Sequence, residues 1–172
     1  MATQRLFFAL WPDPELQQRL ARVAAALLPA ELGRRVRAEN LHCTLVFLGG
    51  VDADQRLCVE AAAGEVRARA FNLQLDRFGY FRRPQVAWLG STVTPTELIR
   101  LVADLGGGCN ACGFPPERSP YEVHLTIARK VRRDPGRPPF MAIDWPVDRF
   151  ALVESLNDEN GVHYRPLRFW TL

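Results

Sequence analysis

The chain contains the same supersecondary unit twice, and this duplication limits the folds that it can adopt. Each copy has an apolar strand, a helix that begins at a proline, and a second strand in which histidine and threonine stand two residues apart. His42 follows Pro14 by 28 residues, and His124 follows Pro95 by 29. Two copies are too few for a solenoid. The pattern therefore predicts two related lobes in one domain spanning residues 1–172, with repeat units at about 5–50 and 85–130.

Hydrophobic periodicity and the positions of proline and glycine predict the individual elements. Helices are expected from Pro14 to Pro29, over residues 52–69, and from Pro95 to the glycines at 106–113. Strands are expected at 5–10, 34–38, 41–48, 71–81, 86–91 and 121–129, followed by a loop at 132–146 and a terminal hairpin that turns at 157–161. The predicted fold class is α+β: a bilobal duplicated unit in which two antiparallel sheets face a central cleft and the helices lie outside.

The two His-x-Thr strands are expected to present their polar side chains to the cleft. Alternate residues of a strand point to the same face, so His42 projects with Thr44 and His124 projects with Thr126. The neighbouring positions would face the helices: Leu41, Cys43, Leu45, Val123, Leu125 and Ile127. Two imidazoles and two hydroxyls would then enter one cleft between the lobes, where ligands usually bind.

These four side chains suit the opening of a strained phosphodiester. In-line displacement at phosphorus needs a base on the attacking water and an acid on the departing oxygen, and histidine holds either protonation state near neutral pH. Threonine hydroxyls donate to the non-bridging oxygens, and an arginine offsets their charge. The scheme needs no metal ion, and the sequence offers no convincing carboxylate cage for one.

A single His-x-Thr in a strand carries little information, because a structural histidine explains it as well. Two of them, each closing a repeated unit, use two of the three histidines in the chain and point to a shared function. The third, His163, follows the Asn160–Gly161 turn and is expected to be an exposed hairpin residue.

The positive charge of the chain is carried almost entirely by arginine. With 22 basic and 19 acidic residues the net charge is +3, which is too small for a general nucleic-acid coat, and Lys130 is the one lysine. A compositional bias of the genome explains this arginine excess, but arginine clusters at strand ends are also placed to line a phosphate-binding cleft. The clusters are Arg34, Arg35 and Arg37; Arg82 and Arg83; and Arg129, Lys130, Arg132 and Arg133.

The four cysteines are Cys43, Cys58, Cys109 and Cys112. Without a secretory signal, disulfides are not expected. Cys109 and Cys112 have the C-x-x-C spacing, but the second pair of ligands that a structural zinc site needs is missing from the sequence. Reduced, partly buried thiols are the expected state.

No apolar run is long enough to span a bilayer, and the start of the chain lacks the small-residue cleavage site of a signal peptide. The protein is therefore expected to be unprocessed, cytoplasmic and away from membranes. The modest charge and the absence of an amphipathic interface stripe favour a monomer.

The paired motifs resemble those of a known family. HCTL at 42–45 and HLTI at 124–127 are similar to the paired H-x-T/S-hydrophobic signatures of the 2H phosphoesterase superfamily, and more closely to its RNA 2′,3′-cyclic phosphodiesterase branch, historically called 2′-5′ RNA ligase. The resemblance extends through RLFFALWPDPEL, ENLHCTLVFLGGV, VAWLG, YEVHLTIAR and VESLNDENGVHYRPLRFWTL. One departure is Val123, where the family often has proline. Valine fits a strand, so we expect a differently shaped loop at 115–121 and little change at the histidine.

The resemblance implies an enzyme that hydrolyses the terminal 2′,3′-cyclic phosphate of RNA to a 2′-phosphate without metal or cofactor. It implies that His42 and His124 are catalytic, and we assign His42 as the acid on O3′ and His124 as the base on water, although the pseudosymmetry permits the reverse. Thr44 and Thr126 would hold the phosphate oxygens. Arg129 would contact the phosphate or the base.

An aromatic residue is expected to stack on the RNA base, as recognition of single-stranded RNA generally requires. The candidates are Phe7, Phe47, Phe81 and Tyr121. Other functions remain open at this point. They are a 2H enzyme for a different cyclic nucleotide, a 2′,5′-linked oligonucleotide or RNA ligation; a nucleotide- or RNA-binding module; and a metal–thiol protein built on Cys109 and Cys112.

Overall fold

The computed structural model describes residues 3–159 and 161–172, and within them the chain forms three α-helices, one 3₁₀ helix and ten β-strands. The helices are α1 (Pro14–Leu27), α2 (Ala53–Gly64) and α3 (Thr96–Ala111), with the 3₁₀ helix at Ala38–Asn40. The strands are β1 (Gln4–Leu10), β2 (Arg34–Arg35), β3 (Cys43–Val51), β4 (Phe71–Leu75), β5 (Arg77–Phe81), β6 (Val86–Gly90), β7 (Leu125–Arg129), β8 (Ile143–Val147), β9 (Arg149–Asp158) and β10 (Gly161–Thr171).

The strands form two antiparallel sheets. The larger sheet has the order β10-β9-β1-β3-β7-β6-β5, with β2 paired to β7, and the smaller sheet pairs β4 with β8. The order is nearly symmetric about β3 and β7, because β1 adjoins β3 in one half as β6 adjoins β7 in the other. The predicted α+β fold class with antiparallel sheets is confirmed, and the strand–helix–strand unit occurs twice, as β1-α1-β3 and β6-α3-β7.

The two halves of the large sheet meet at a single residue pair, Cys43 of β3 opposite Leu125 of β7. Both side chains are fully buried. The helices reinforce this junction, because α1 contacts β7 and α3 contacts β3. Each helix therefore packs on the histidine-bearing strand of the other repeat unit.

Local signals in the sequence explain where the helices begin. The Asp13 side chain accepts a hydrogen bond from the Leu16 amide at 2.8 Å, and Pro14 occupies the first turn of α1. Asp52 and Gln55 form a reciprocal capping box at the start of α2. No helix in the described part of the chain is long and apolar enough to cross a membrane.

Several predicted boundaries are wrong. The glycines at 106–108 do not end α3, which continues to Ala111. Gly108 allows close packing of α3 on α2, because a Cβ on residue 108 would lie 2.8 Å from the Ala62 Cβ. Strand β3 also continues past its expected end at Gly49. This glycine adopts a φ of +79° within the strand. The predicted second helix ends early, at Gly64, and the strand at 34–38 has only two residues.

The predicted loop at 132–146 contains most of β8. Its buried residues Ile143, Trp145 and Val147 alternate with exposed ones, but the pattern is short and interrupted by proline, and it becomes a strand only through pairing with β4. The histidine strand is shorter than expected and begins at Leu125. The predicted terminal hairpin forms from β9 and β10, although Asn160 of its turn lies outside the described residues.

The prediction that all cysteines are reduced is wrong for two of them. Cys58 of α2 and Cys112 at the end of α3 form a disulfide, with Cα atoms 5.8 Å apart. The packing of α2 against α3 brings these residues together across 54 positions of sequence, a proximity that residue spacing does not encode. Cys43 and Cys109 are free and buried. The C-x-x-C pair therefore does not act as a dithiol in this structure.

Replacing Gly79 tests how tightly the second half of the sheet is packed. A Cβ at this position of β5 would overlap the Trp88 ring of β6, so we expect Gly79→Ala to lower the free energy of unfolding by about 1–3 kcal/mol. Gly106→Ala is the matched control, since its Cβ meets nothing within 4 Å and alanine favours a helix by about 0.5–1 kcal/mol. Urea denaturation measures both. Equal stabilities for the two variants would contradict this packing.

Candidate active site

The junction between the two halves of the sheet sets the positions of both His-x-Thr motifs. In an antiparallel register that pairs Cys43 with Leu125, His42 stands opposite Thr126, and Thr44 stands opposite His124. Directly opposed residues have Cβ atoms about 4.5–5.5 Å apart, and diagonal neighbours such as the two histidines are about 7–8 Å apart. This register predicts that each histidine faces the threonine of the other motif.

The burial of the two strands follows the predicted alternation. Apolar neighbours of the motifs are buried, whereas His42, Thr44, His124 and Thr126 are each partly exposed on the opposite face. The buried neighbours are Leu41, Cys43, Leu45, Val123, Leu125 and Ile127. The expectation that each motif projects histidine and threonine together is therefore confirmed.

Each histidine ring is held by a backbone carbonyl two residues earlier in the chain. The His42 Nδ1 lies 2.7 Å from the Asn40 carbonyl oxygen, and the His124 Nδ1 lies 3.0 Å from the Glu122 carbonyl oxygen. Because a carbonyl oxygen only accepts, Nδ1 carries the proton in both rings. Nε2 is then the nitrogen left for proton transfer in both motifs.

Three aromatic rings enclose His42. Trp11 stacks on it with centroids 5.6 Å apart and planes at 12°, while Phe7 and Tyr164 approach at 4.9 and 4.8 Å. Asn40 ties β10, which carries Tyr164, to the first motif. Its side-chain amide donates to the Val162 carbonyl, and its side-chain oxygen accepts from the Tyr164 backbone amide.

The enclosure changes the charge state of His42. Its pKa falls from 6.5 to about 4, mainly because the enclosing rings remove most of the hydration of the partly exposed imidazole. The hydrogen bond to the Asn40 carbonyl opposes this, and the positive charges of Arg129 and His124 add to it. Unfolding restores the ordinary value. The stability that His42 contributes is therefore present above pH 6.5 and is lost as the pH falls towards 4.

A cavity of about 600 Å³ opens beside the second motif, between β3, α3 and the loop that precedes β7. Thr44 and His124 line it, but His42 does not. Its remaining wall is mostly apolar, with Cys109 and the loop residue Phe114 among the lining side chains. The cavity therefore provides an apolar space directly next to one histidine of the pair.

The structure shows which of the four candidate stacking residues are engaged in structural contacts and which line the cavity. Phe7 is buried against His42, and the Tyr121 hydroxyl donates to the Thr44 carbonyl at 3.1 Å, so both rings have structural roles. Phe47 and Phe81 both line the cavity, and Phe47 is 47% exposed. The Phe81 ring lies 5.9 Å from that of His124. Tyr121 lines the cavity as well, but Phe47 and Phe81 are the two candidates that line it without a side-chain hydrogen bond to the backbone, and we favour them for contact with a base.

Arg129 ends β7 on the same strand as His124. Its side chain is exposed, and its charge contributes to the lowered pKa of His42, so it acts electrostatically on the first motif. His163 is elsewhere: it lies on β10 and contacts the Asp158 carboxylate at 3.0 Å, in keeping with its prediction as a hairpin residue. Within the described ranges, no group of three or more His, Cys, Asp or Glu is arranged to hold a metal ion.

Sequence reasoning missed the residues that surround His42. Trp11 appears in the sequence only as part of a turn, and Tyr164 lies in a strand 122 positions after His42. Their positions depend on the order β9-β1-β3, which brings the last hairpin beside the first motif. No local pattern signals that contact.

Comparisons with known proteins find relatives that match nearly the whole chain. A family model described as the 2′-5′ RNA ligase superfamily matches residues 12–159. The RNA 2′,3′-cyclic phosphodiesterase of Escherichia coli K12 is 34% identical over 171 residues, covering 98% of this chain and 97% of that protein. The Archaeoglobus fulgidus protein of the same name is 29% identical over 174 residues, with 95% and 98% covered. The crystal structure of E. coli LigT complexed with 3′-AMP has a TM-score of 0.93 at 34% identity, covering 99% of this chain and 98% of that one.

Removing the stacked ring should raise the pKa of His42. We expect Trp11→Ala to admit water to the imidazole and to move its titration midpoint from about 4 towards 6.5, because hydration stabilises the charged form. Phe169→Ala removes an exposed ring that packs on Arg149, and it should leave the midpoint unchanged. An NMR pH titration of the His42 ring measures both. A midpoint that stays near 4 in Trp11→Ala would show that the indole does not cause the shift.

Proposed function

The chain belongs to the 2′-5′ RNA ligase superfamily, and on this premise we propose that it hydrolyses the terminal 2′,3′-cyclic phosphate of RNA to a 2′-phosphate. The pairing of Cys43 with Leu125 is the observation that supports the proposal, since in that register the histidines and threonines of both motifs would project from neighbouring positions of the sheet. The two lobes over residues 1–172 would act as one catalytic domain.

In the proposed reaction a water oxygen forms a bond to phosphorus while the bond from phosphorus to O3′ breaks. His124 Nε2 accepts the proton from the water, and His42 Nε2 donates a proton to O3′. The products are a 2′-phosphomonoester and a free 3′-hydroxyl. Thr44 and Thr126 donate hydrogen bonds to the non-bridging oxygens, and the Arg129 guanidinium offsets their negative charge.

The acid role of His42 depends on the substrate. With a pKa of about 4, the ring is neutral at pH 7 in the free protein, so it must gain a proton when the phosphate binds. One negative charge about 4 Å away, at an effective dielectric of about 20, stabilises the imidazolium by about 4 kcal/mol, which corresponds to about 3 pKa units. The negative charge of the bound phosphate is therefore sufficient to raise the pKa of His42 from about 4 to near 7.

The cavity beside His124 would receive the terminal base. Phe47 and Phe81 offer ring faces there, and stacking contributes about 1–3 kcal/mol per base while tolerating any sequence. The Arg5 guanidinium lies over the Phe47 ring at 5.1 Å, which holds that ring at the cavity edge. We assign base contact to these two residues and not to Phe7 or Tyr121.

The proposed catalyst works in the cytoplasm as a monomer and uses no metal or cofactor. In this mechanism His124 activates the water and Arg129 offsets the charge on the phosphate, which are the two tasks that a metal ion would otherwise perform. The exposed large apolar side chains lie on different elements; examples are Leu57 on α2, Ile99 on α3 and Val162 on β10.

Single substitutions of the histidines test the mechanism. His42→Ala and His124→Ala should each lower kcat by at least about 100-fold on a short RNA ending in 2′,3′-cyclic phosphate, since each removes a proton-transfer group. Binding of a nucleoside 2′-phosphate should persist, and excess EDTA should not affect the wild type. His163→Ala is the control and should keep full activity.

Chromatographic identification of the product distinguishes the alternatives. A 2′-phosphate end supports the proposal, whereas turnover only of other cyclic phosphates or of 2′,5′-linked oligonucleotides points to another 2H reaction. Undiminished turnover in both histidine variants would refute the mechanism.

A further inference from the structure

Three arginine-rich segments that are distant in the sequence are joined side by side at one end of the large sheet. Arg34 of β2 pairs with Arg129 of β7, and the Arg132 amide donates to the Leu32 carbonyl at 3.0 Å. The Val131 amide donates to the carbonyl of Gln85, next to the β5–β6 turn, also at 3.0 Å. We call eight exposed cations of these segments the basic strip: Arg34, Arg37, Arg82, Arg83, Arg129, Lys130, Arg132 and Arg133. Arg35 is exposed as well but is left out, because its guanidinium donates to the Leu28 carbonyl at 3.2 Å.

The basic strip is electrostatically unusual within this protein. Outside the strip, seven of the fourteen arginines pair with carboxylates, as in Arg56–Glu60 at 2.8 Å and Arg165–Glu154 at 2.6 Å. Within residues 3–159 and 161–172, none of the ion pairs includes a cation of the strip. The eight cations carry +8 in a chain whose net charge is +3, so the rest of the chain carries −5. The charge is therefore strongly polarised towards one sheet end.

The strip is continuous with the proposed active site. β7 runs from His124, just before its first residue, to Arg129 at its end, and the Arg129 charge acts on His42. From β5 across β6 and β7 to β2 there are three strand gaps of about 4.8 Å, or about 14 Å in all. This width spans more than one phosphate of a nucleic-acid strand.

We propose that the basic strip binds the sugar–phosphate backbone of the RNA strand on the 5′ side of the cyclic phosphate. This inference rests on the proposed function, because a 2′,3′-cyclic phosphate stands at the 3′ end of an RNA and the rest of the polymer leaves through the 5′ oxygen of the terminal nucleotide. The substrate class is therefore an RNA oligomer of several nucleotides and not a free cyclic nucleotide. Contacts to phosphates alone position the strand without selecting its sequence.

Arginine is well suited to this role. Its guanidinium contacts two phosphate oxygens at once and is less strongly hydrated than an ammonium group, and seven of the eight cations are arginines. Acidic residues are scarce within the strip segments: Glu31 is the one carboxylate in residues 30–37, 82–85 and 129–133. An RNA backbone would thus meet no opposing row of negative charge.

The test compares a short and a long substrate in a variant that keeps the catalytic groups. Arg82, Arg83, Arg132 and Arg133 are replaced by Gln together, and Arg129 is left intact. With a ten-nucleotide RNA ending in 2′,3′-cyclic phosphate, we expect KM at 50 mM salt to rise at least about tenfold. The slope of log KM against log salt should shrink by about 0.7 per lost phosphate contact. With a nucleoside 2′,3′-cyclic phosphate, kcat/KM should stay at the wild-type value.

A charge-matched control removes four arginines outside the strip: Arg22, Arg67, Arg69 and Arg100 are replaced by Gln. This variant should retain the wild-type KM for the oligomer. Equal effects of the two quadruple variants, or no effect of the strip variant on the oligomer, would overturn the proposal.

Binding measured without turnover separates this inference from the catalytic proposal. Fluorescence anisotropy with a labelled ten-nucleotide RNA ending in a 3′-hydroxyl reports on RNA binding without the reacting cyclic phosphate, and the strip variant isolates the contribution of the strip. One possible result is that the wild type hydrolyses no cyclic phosphate but binds this RNA, and that only the strip variant binds it more weakly. That result would refute the proposed reaction and support the proposed role of the strip. If the wild type hydrolyses the nucleoside substrate but shows no salt-dependent RNA binding, the reaction stands and the strip proposal is wrong.

Discussion

The pairing of β3 with β7 through Cys43 and Leu125 is the contact on which the rest of the site depends. One antiparallel residue pair fixes which side chains stand opposite each other, and a shift of either strand by one residue would turn the motif of that strand into the core. The buried apolar residues on the other face of both strands oppose that shift. Packing of α1 on β7 and of α3 on β3 then ties each repeat unit to the other's histidine strand.

The two motifs share a backbone geometry but differ in their surroundings. Both histidines donate Nδ1–H to a carbonyl two residues earlier, yet His42 is enclosed by Trp11, Phe7 and Tyr164, whereas His124 borders an open cavity. Duplication thus gives two histidines with the same backbone hydrogen bond. The rings around His42, one of which comes from the final hairpin, give the two histidines different surroundings. In this account His42 stays neutral until an anion arrives, which links its protonation to substrate binding.

The sequence predicts the parts of this site that depend on local pattern. Alternation in each strand predicts that His42 projects with Thr44 and that His124 projects with Thr126, and the repeated spacing predicts two related lobes. It does not predict the register of β3 against β7 or the aromatic enclosure of His42, because both arise from strands distant in the chain. The Cys58–Cys112 disulfide and the continuation of α3 through Gly108 depend likewise on how α2 packs on α3.

The most direct test of the shared site is a crystal structure with a uridine–vanadate complex, whose five-coordinate vanadium imitates in-line displacement at phosphorus. If one antiparallel pair brings both motifs to a single phosphate, the Nε2 atoms of His42 and His124 will lie about 2.6–3.2 Å from opposite apical oxygens. The hydroxyls of Thr44 and Thr126 will then contact equatorial oxygens. A vanadate that contacts only one motif, or a His42 ring that points away from it, would contradict the account.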